Sequence, residues 1–236
     1  MSAALRFELP LPDLAPWRAG NTGVAGVWHF DSGQPGRAVL ITALIHGNEL
    51  CGAWALKGLL EAGVRPARGT LTLALCNLAA FDRFDADRHD AARFVEQDLN
   101  RQWTPERLRA ADSVERRRAA ELAPFAERAD WLLDLHSMHE PSAPLLLTGV
   151  QPRNLALARQ LAAPEHIVID AGHSDGVRLR DFGRFGLPDA QAGDSRSLLL
   201  ECGFHGDPAS RAVAQDMCRR FLQAAGTLDA AALDAA

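Results

Sequence analysis

Apolar and polar positions along the chain change period several times. Residues 24–30 form a short apolar-rich run, and residues 37–45 (R-A-V-L-I-T-A-L-I) form a nearly continuous β-rich one, the pattern of a strand buried on both faces. His46-Gly47-Asn48 breaks that run. Residues 49–60 follow at helical spacing, with Leu50, Ala53, Trp54, Leu56 and Leu60 on one side and Gly63 as the stop. Residues 70–75 predict a third strand. Residues 77–103, rich in Asp, Arg and Phe, show no regular period, and a loop that long in a compact domain usually carries function. Residues 113–128 predict a charged helix with Ser113 as N-cap, and residues 131–135 a buried strand ending at His136. Two more strands, 145–148 and 166–170, flank a helix over 154–162. Residues 172–195 read as a second polar loop, 197–200 as a strand running into Glu201, and 209–225 as a closing amphipathic helix.

Strands alternating with helices imply an α/β fold: a single domain over 1–236, its core about 24–225, with a central mixed, mostly parallel sheet flanked by helices. The composition is that of a globular domain, 47% hydrophobic and 23% charged. A net charge of -5 gives no reason to expect nucleic acid as a partner. No apolar run approaches the roughly 18 residues of a membrane span. Glu8, Pro10 and Pro12 stand where a signal peptide would have its apolar stretch, so the cytoplasm is the expected location. None of the four cysteines lies in a C-x-x-C pair, and Cys51, Cys76 and Cys202 sit in or beside apolar runs as expected core residues. The pattern leaves a homo-oligomer open.

The candidate chemistry lies where strands end. His46, His136 and Glu201 each follow a separate strand run, and in open α/β sheets ligands bind outside the carboxyl ends of the strands. A catalytic zinc needs three protein ligands and one open position, and two His plus one Glu is a known set. His46 and Glu49, three apart on a turn entering a helix, supply a close pair, and His136 the distant third. The open position takes a water whose pKa the metal lowers to about 7, and Glu201 accepts its proton. On this reading the cofactor is one Zn2+ per chain.

Four motifs add to this: His46-Gly47-Asn48-Glu49, Asp98-Leu99-Asn100-Arg101, Asp134-Leu135-His136 and Glu201-Cys202-Gly203, with Arg93 five residues before Asp98. Together they resemble the aspartoacylase and succinylglutamate desuccinylase family of the zinc carboxypeptidase superfamily, over roughly residues 24–225. The resemblance implies zinc on His46, Glu49 and His136, Arg93 stabilising the oxyanion, Asn100 and Arg101 gripping a substrate carboxylate, and Glu201 as general base. It implies a deacylase removing an acyl group from a small N-acyl amino acid. A carboxypeptidase acting on short peptides and a non-catalytic metal-binding regulator are the alternatives. Asp98 reads as loop-fixing, Asp134 equally as strand structure or as support for a ligand, and His139 and His205 as surface residues. His173 and Arg178 to Arg184 fall in the second polar loop without a matched motif. Two departures stand out: the expected domain lacks the family's C-terminal β-rich domain, which implies a more open site, and the chain has no Tyr to supply the family's substrate-binding tyrosine.

Overall fold

The protein is described by a computed structural model covering residues 6–228. Seven strands form one sheet: β1 (Val27–Asp31), β2 (Ala38–Ala43), β3 (Thr70–Leu75), β4 (Trp131–Met138), β5 (Leu145–Leu147), β6 (His166–Val168) and β7 (Arg196–Phe204). Their order is β1-β3-β2-β4-β7-β5-β6. The β3/β2, β2/β4, β4/β7 and β5/β6 pairs are parallel, while β1/β3 and β5/β7 are antiparallel, so the sheet is mixed and mostly parallel as expected.

The helices are α1 (Leu50–Glu61), α2 (Leu78–Phe81), α3 (Pro105–Ala110), α4 (Val114–Arg128), α5 (Pro152–Leu161), α6 (Asp189–Ala192) and α7 (Ala209–Ala225). Side chains alternate across a strand, and the two faces of the sheet collect different cores. Leu133, Leu135, Leu198 and Leu200 pack with α1 and α7 through Leu56, Leu59, Met217 and Phe221. Leu40 and Leu132 pack on the opposite face with Ala119, Leu122 and Ala126 of α4, and with Trp103 and Phe182. Cys51, Cys76, Cys202 and Cys218 are all buried free thiols. No helix among the described residues is long and apolar enough to cross a membrane.

Several expectations are corrected. His136 and Glu201 lie inside β4 and β7, not after them: the two are paired across neighbouring strands, and the backbone ladder continues to Met138 and Phe204 past a shift in register. A polar side chain on one face does not interrupt that ladder. The stretch 77–103 is not structureless. It holds α2 and 3-10 turns over Ala86–Ala92 and Leu99–Arg101, started by the side chains of Asn77, Asp85 and Asp98, which accept backbone N–H groups. Such short capped turns leave no helical period to read. Helix α3, capped by Thr104, was not expected at all.

The second polar loop is tied down by charge. Buried Arg178 donates two hydrogen bonds to Asp170, at 2.8 and 2.7 Å, and one to Asp181 at 2.7 Å. The Arg178 guanidinium holds the Asp170 carboxyl below the usual carboxylate range, against the opposing effect of burial. A carboxyl so depressed stabilises the fold fully above its unfolded value of about 3.9, and that contribution is lost as pH falls through the acid range. Asp170→Asn is therefore expected to cost about 1 kcal/mol at pH 7, after allowance for solvent screening, and to cost little at pH 2. Urea melts at the two pH values check this, and an equal loss at both would contradict it.

Candidate active site

Strand β2 ends in a tight passage. Leu44 has a left-handed φ of 57°, unusual for a non-glycine residue, and its carbonyl accepts the Asn77 N–H at 2.7 Å. Gly47 then passes so close to α2 that a Cβ would lie 2.4 Å from the Ala80 carbonyl carbon and 2.5 Å from the Ala92 oxygen, so only glycine fits. The Gly47 N–H donates to the Arg93 carbonyl at 3.2 Å, which joins this turn to the long loop. Glu49 occupies the N-cap position of α1 but makes no capping hydrogen bond with its side chain. Its carboxylate turns instead to two imidazoles.

His46 Nδ1 lies 2.7 Å from Glu49 Oε1, and His136 Nδ1 lies 2.8 Å from Glu49 Oε2. All three residues are buried, and one ligand atom from each lies within 4.8 Å of the others. The structure thus brings together the three ligands expected from sequence. The outer ring nitrogens face carboxylates in turn: His46 Nε2 is 2.9 Å from Asp98 Oδ1, and His136 Nε2 is 2.9 Å from Asp134 Oδ2. Asp134 is fixed by the Thr42 hydroxyl, which donates to Oδ1 at 2.6 Å across the β2/β4 pair. A carboxylate behind each imidazole sets its tautomer and strengthens it as a ligand.

These residues fit a divalent cation. Glu49 Oε2 and His136 Nε2 are buried and make no hydrogen bond, despite their short contacts. His46 Nδ1 and Glu49 Oε1 are hydrogen-bonded at 2.7 Å, so Glu49 Oε2, buried 2.8 Å from His136 Nδ1 without a hydrogen bond, is the orphaned acceptor that a cation would satisfy. Around the two imidazoles stand the carboxylates of Glu49, Asp98 and Asp134, with the guanidinium of Arg93 3.0 Å and that of Arg101 3.9 Å from Asp98. Burial pushes the Glu49 carboxyl up, yet His46 and His136 hold it well below the usual range. Two imidazoles and one carboxylate match zinc's donor preference.

Glu201 stands on β7 at the register of His136, and in a parallel pair such residues share a face. Its Oε2 is buried without a hydrogen-bond partner. Burial pushes its carboxyl up to about 8, against the pull of His136. A partly buried carboxylate whose inner oxygen has no structural partner, beside a ligand cluster, is the environment of a proton-transfer group.

The loop residues meet the cluster at its rim. Arg93 NH2 donates to Asp98 Oδ2 at 3.0 Å, and its NH1 comes within 4.0 Å of Glu49 Oε1. Asp98 therefore does more than fix its loop, because one carboxylate joins Arg93 to His46 and also accepts the Asn100 N–H at 2.8 Å. Asn100 is buried, and its Oδ1 accepts the Leu179 N–H at 2.9 Å. Arg101 Nε donates to Asp175 Oδ1 at 3.1 Å. His139 is exposed as expected. His205 is a correction: it is buried, with Nδ1 2.8 Å from the Ser137 hydroxyl, and burial lowers its pKa to about 4. Arg178 and Arg180 are buried too, and Arg178 is spent on its two aspartates.

One buried anion, Glu115, carries no signature in the sequence. Glu115, in the first turn of α4, accepts the N–H groups of Val95, Glu96 and Gln97 at 2.7, 3.1 and 3.0 Å, and the Asn77 amide at 3.2 Å. It shapes the segment between Arg93 and Asp98. Glu115→Ala strands these donors and is expected to cost about 3 kcal/mol, a fall in Tm of roughly 9 °C. Thermal melts check this, and a fall under 2 °C would contradict the assignment.

Residues 35–177 match the succinylglutamate desuccinylase/aspartoacylase catalytic domain family. The chain belongs to this family. Both enzymes in the family's name are hydrolases of an amide bond. The matched stretch contains the His46, Glu49 and His136 cluster with Arg93, Asn100 and Arg101, while Glu201 lies beyond it. No curated protein sequence matches the chain. Among solved structures, the product-bound ectoine utilization protein EutE from Ruegeria pomeroyi is 20% identical, with a TM-score of 0.62 over 83% of this chain and 59% of that one. The succinylglutamate desuccinylase from Chromobacterium violaceum is 20% identical, with a TM-score of 0.61 over 94% and 73%. Murine aminoacylase 3 is 21% identical, with a TM-score of 0.55 over 80% and 66%. At such identities the likeness is one of fold, and the chain spans less than two thirds of the EutE structure.

Proposed function

We propose that this chain is a zinc-dependent amidohydrolase that removes the acyl group from a small N-acyl amino acid. The observation that carries the reading is the buried cluster of His46, His136 and Glu49, one ligand atom from each within 4.8 Å of the others, backed by Asp98 and Asp134. Membership of a family named for two deacylases supports the reaction class.

Bound zinc supplies Lewis acidity and brings a water's pKa to about 7. The chain's own groups do the rest. Glu201, unpaired and facing the same side of the sheet as His136, takes the water's proton and delivers it to the departing amine nitrogen. Arg93, at the rim and 38% exposed, donates to the scissile oxygen as negative charge grows there. Asn100 and Arg101 hold the substrate carboxylate and so fix the amide relative to Glu201. Asp98 and Asp134 keep the imidazoles oriented.

A panel of acetyl and succinyl amino acids, set against blocked dipeptides and run on zinc-loaded protein, tests the reading. Release of free amino acid from the acyl compounds is expected. Turnover of the dipeptides alone would replace it with a carboxypeptidase, and zinc binding with no turnover would replace it with a non-catalytic regulator.

A further inference from the structure

We propose that Asp175 is a specificity-determining residue that restricts the Arg101 subsite to substrates bearing one carboxylate and a neutral or cationic side chain. The inference rests on the proposed hydrolase reading and narrows its substrate class.

Arg101 is the residue expected to grip a carboxylate through its fork, and two of its three nitrogens are already engaged. Its Nε donates to Asp175 Oδ1 at 3.1 Å, and NH1 donates to the Asn100 carbonyl at 3.1 Å while lying 3.9 Å from Asp98 Oδ2. The Arg101 side chain is 18% exposed and that of Asp175 is 70% exposed, so the aspartate covers the guanidinium from the solvent side.

The position of Asp175 is built in. His173 and Gly176 are bridged across a tight turn, and Val177 pairs with Gln102, so the turn lies along the Asn100–Arg101 segment. Arg107 clamps both strands of this contact, donating to the Asp175 carbonyl at 2.9 Å and to the Arg101 carbonyl. At Gly176 a Cβ would stand 2.4 Å from the Arg101 oxygen and 2.5 Å from Arg107 NH1, so the close approach of the two segments requires glycine. The backbone of Asp175 is thus fixed, and its carboxylate leaves Arg101 only by side-chain rotation into solvent.

Charge then decides selectivity. The guanidinium of Arg101 faces two carboxylates, Asp175 and Asp98. Arg93 is paired with Asp98, Arg178 with Asp170 and Asp181, and Arg107 with the two carbonyls. A substrate carboxylate at the remaining N–H groups of Arg101 sits beside Asp175, and a second carboxylate meets that same negative charge with each of these neighbouring cations already paired. An amide or an amine at that place meets Asp175 favourably.

The test compares wild type with Asp175→Asn, both as the full zinc-loaded chain, in calorimetric titrations with glutarate and with its monoanionic amide glutaramate. Removing one partly exposed charge is expected to tighten glutarate about fivefold and glutaramate less than twofold. Adding Arg101→Gln to Asp175→Asn abolishes the gain. Equal effects on both probes, no effect on either, or no binding of either by both proteins would overturn the assignment. The same proteins are assayed on the acyl amino acid panel. Altered glutarate selectivity without turnover removes the hydrolase reading and leaves Asp175 assigned, whereas turnover with unaltered selectivity does the reverse.

Discussion

Glu201→Ala is expected to retain a full equivalent of zinc and to lose about 1,000-fold in kcat. A positioned general base is worth roughly 100- to 10,000-fold, and no other described carboxylate is both unpaired and at the register of a ligand. Asp98 is spent on His46 and Arg93, and Asp134 accepts from Thr42 and stands behind His136, 2.9 Å from its Nε2. Glu201→Gln is expected to fall as far, since it keeps the shape and removes only the basicity. Neither variant is expected to be less stable. Glu201 Oε2 has no hydrogen-bond partner, and burial raises its pKa to about 8, so without a bound cation folding at pH 7 must protonate this carboxyl, a cost that substitution removes. A Tm equal to or above wild type, with turnover lost and zinc kept, is the expected combination. Turnover within tenfold of wild type in both variants would remove Glu201 from the mechanism.

The second large effect is expected at His46. His46→Ala removes the group between Glu49 and Asp98, which touches Glu49 Oε1 at 2.7 Å and Asp98 Oδ1 at 2.9 Å. Without the imidazole, two carboxylates face one another across the space it filled, and a ligand is lost. Losing an outer partner of a metal ligand typically costs 10- to 100-fold in metal affinity, and loss of the ligand itself is expected to cost far more than about 100-fold. Zinc titrations of chelator-stripped protein give the comparison, with Asp134→Asn as the milder outer-partner control. Turnover should vanish in His46→Ala at zinc concentrations that saturate wild type. Equal zinc affinity in His46→Ala and wild type would place the ion elsewhere.

The parts of this site that the sequence made legible are those coded by local spacing. His46 and Glu49 lie on one turn, and the break after the β2 run marks them directly. His136 and Glu201 were recognisable as polar residues interrupting apolar strand runs, although both strands continue beyond them because β4 and β7 remain paired. The Ala209–Ala225 helix and the Thr70–Leu75 strand carry clean periods and lie where the pattern predicts.

What stayed hidden depends on partners distant in sequence. Glu115 sits in a helix start that reads as a solvated charged turn, and only the arrival of residues 95–97 makes it a buried anion. Arg153 looks like one more surface arginine, yet it is buried under the Ser195, Leu187 and Phe185 carbonyls and Asp189. His205 was expected at the surface because nothing local reveals Ser137 beside it, and Asp134 was undecided until the β2/β4 register brought Thr42 against it. The Asp175–Arg101 contact likewise joins two loops that share no pattern in sequence.

The central claim is that His46, Glu49 and His136 share one zinc ion. Diffraction from zinc-loaded crystals at energies just above and below the zinc absorption edge tests it most directly. A single anomalous peak, bounded by the Nδ1 atoms of His46 and His136 and by the Glu49 carboxylate, is the predicted result. A peak elsewhere, or none at that point in fully zinc-loaded protein, would contradict it.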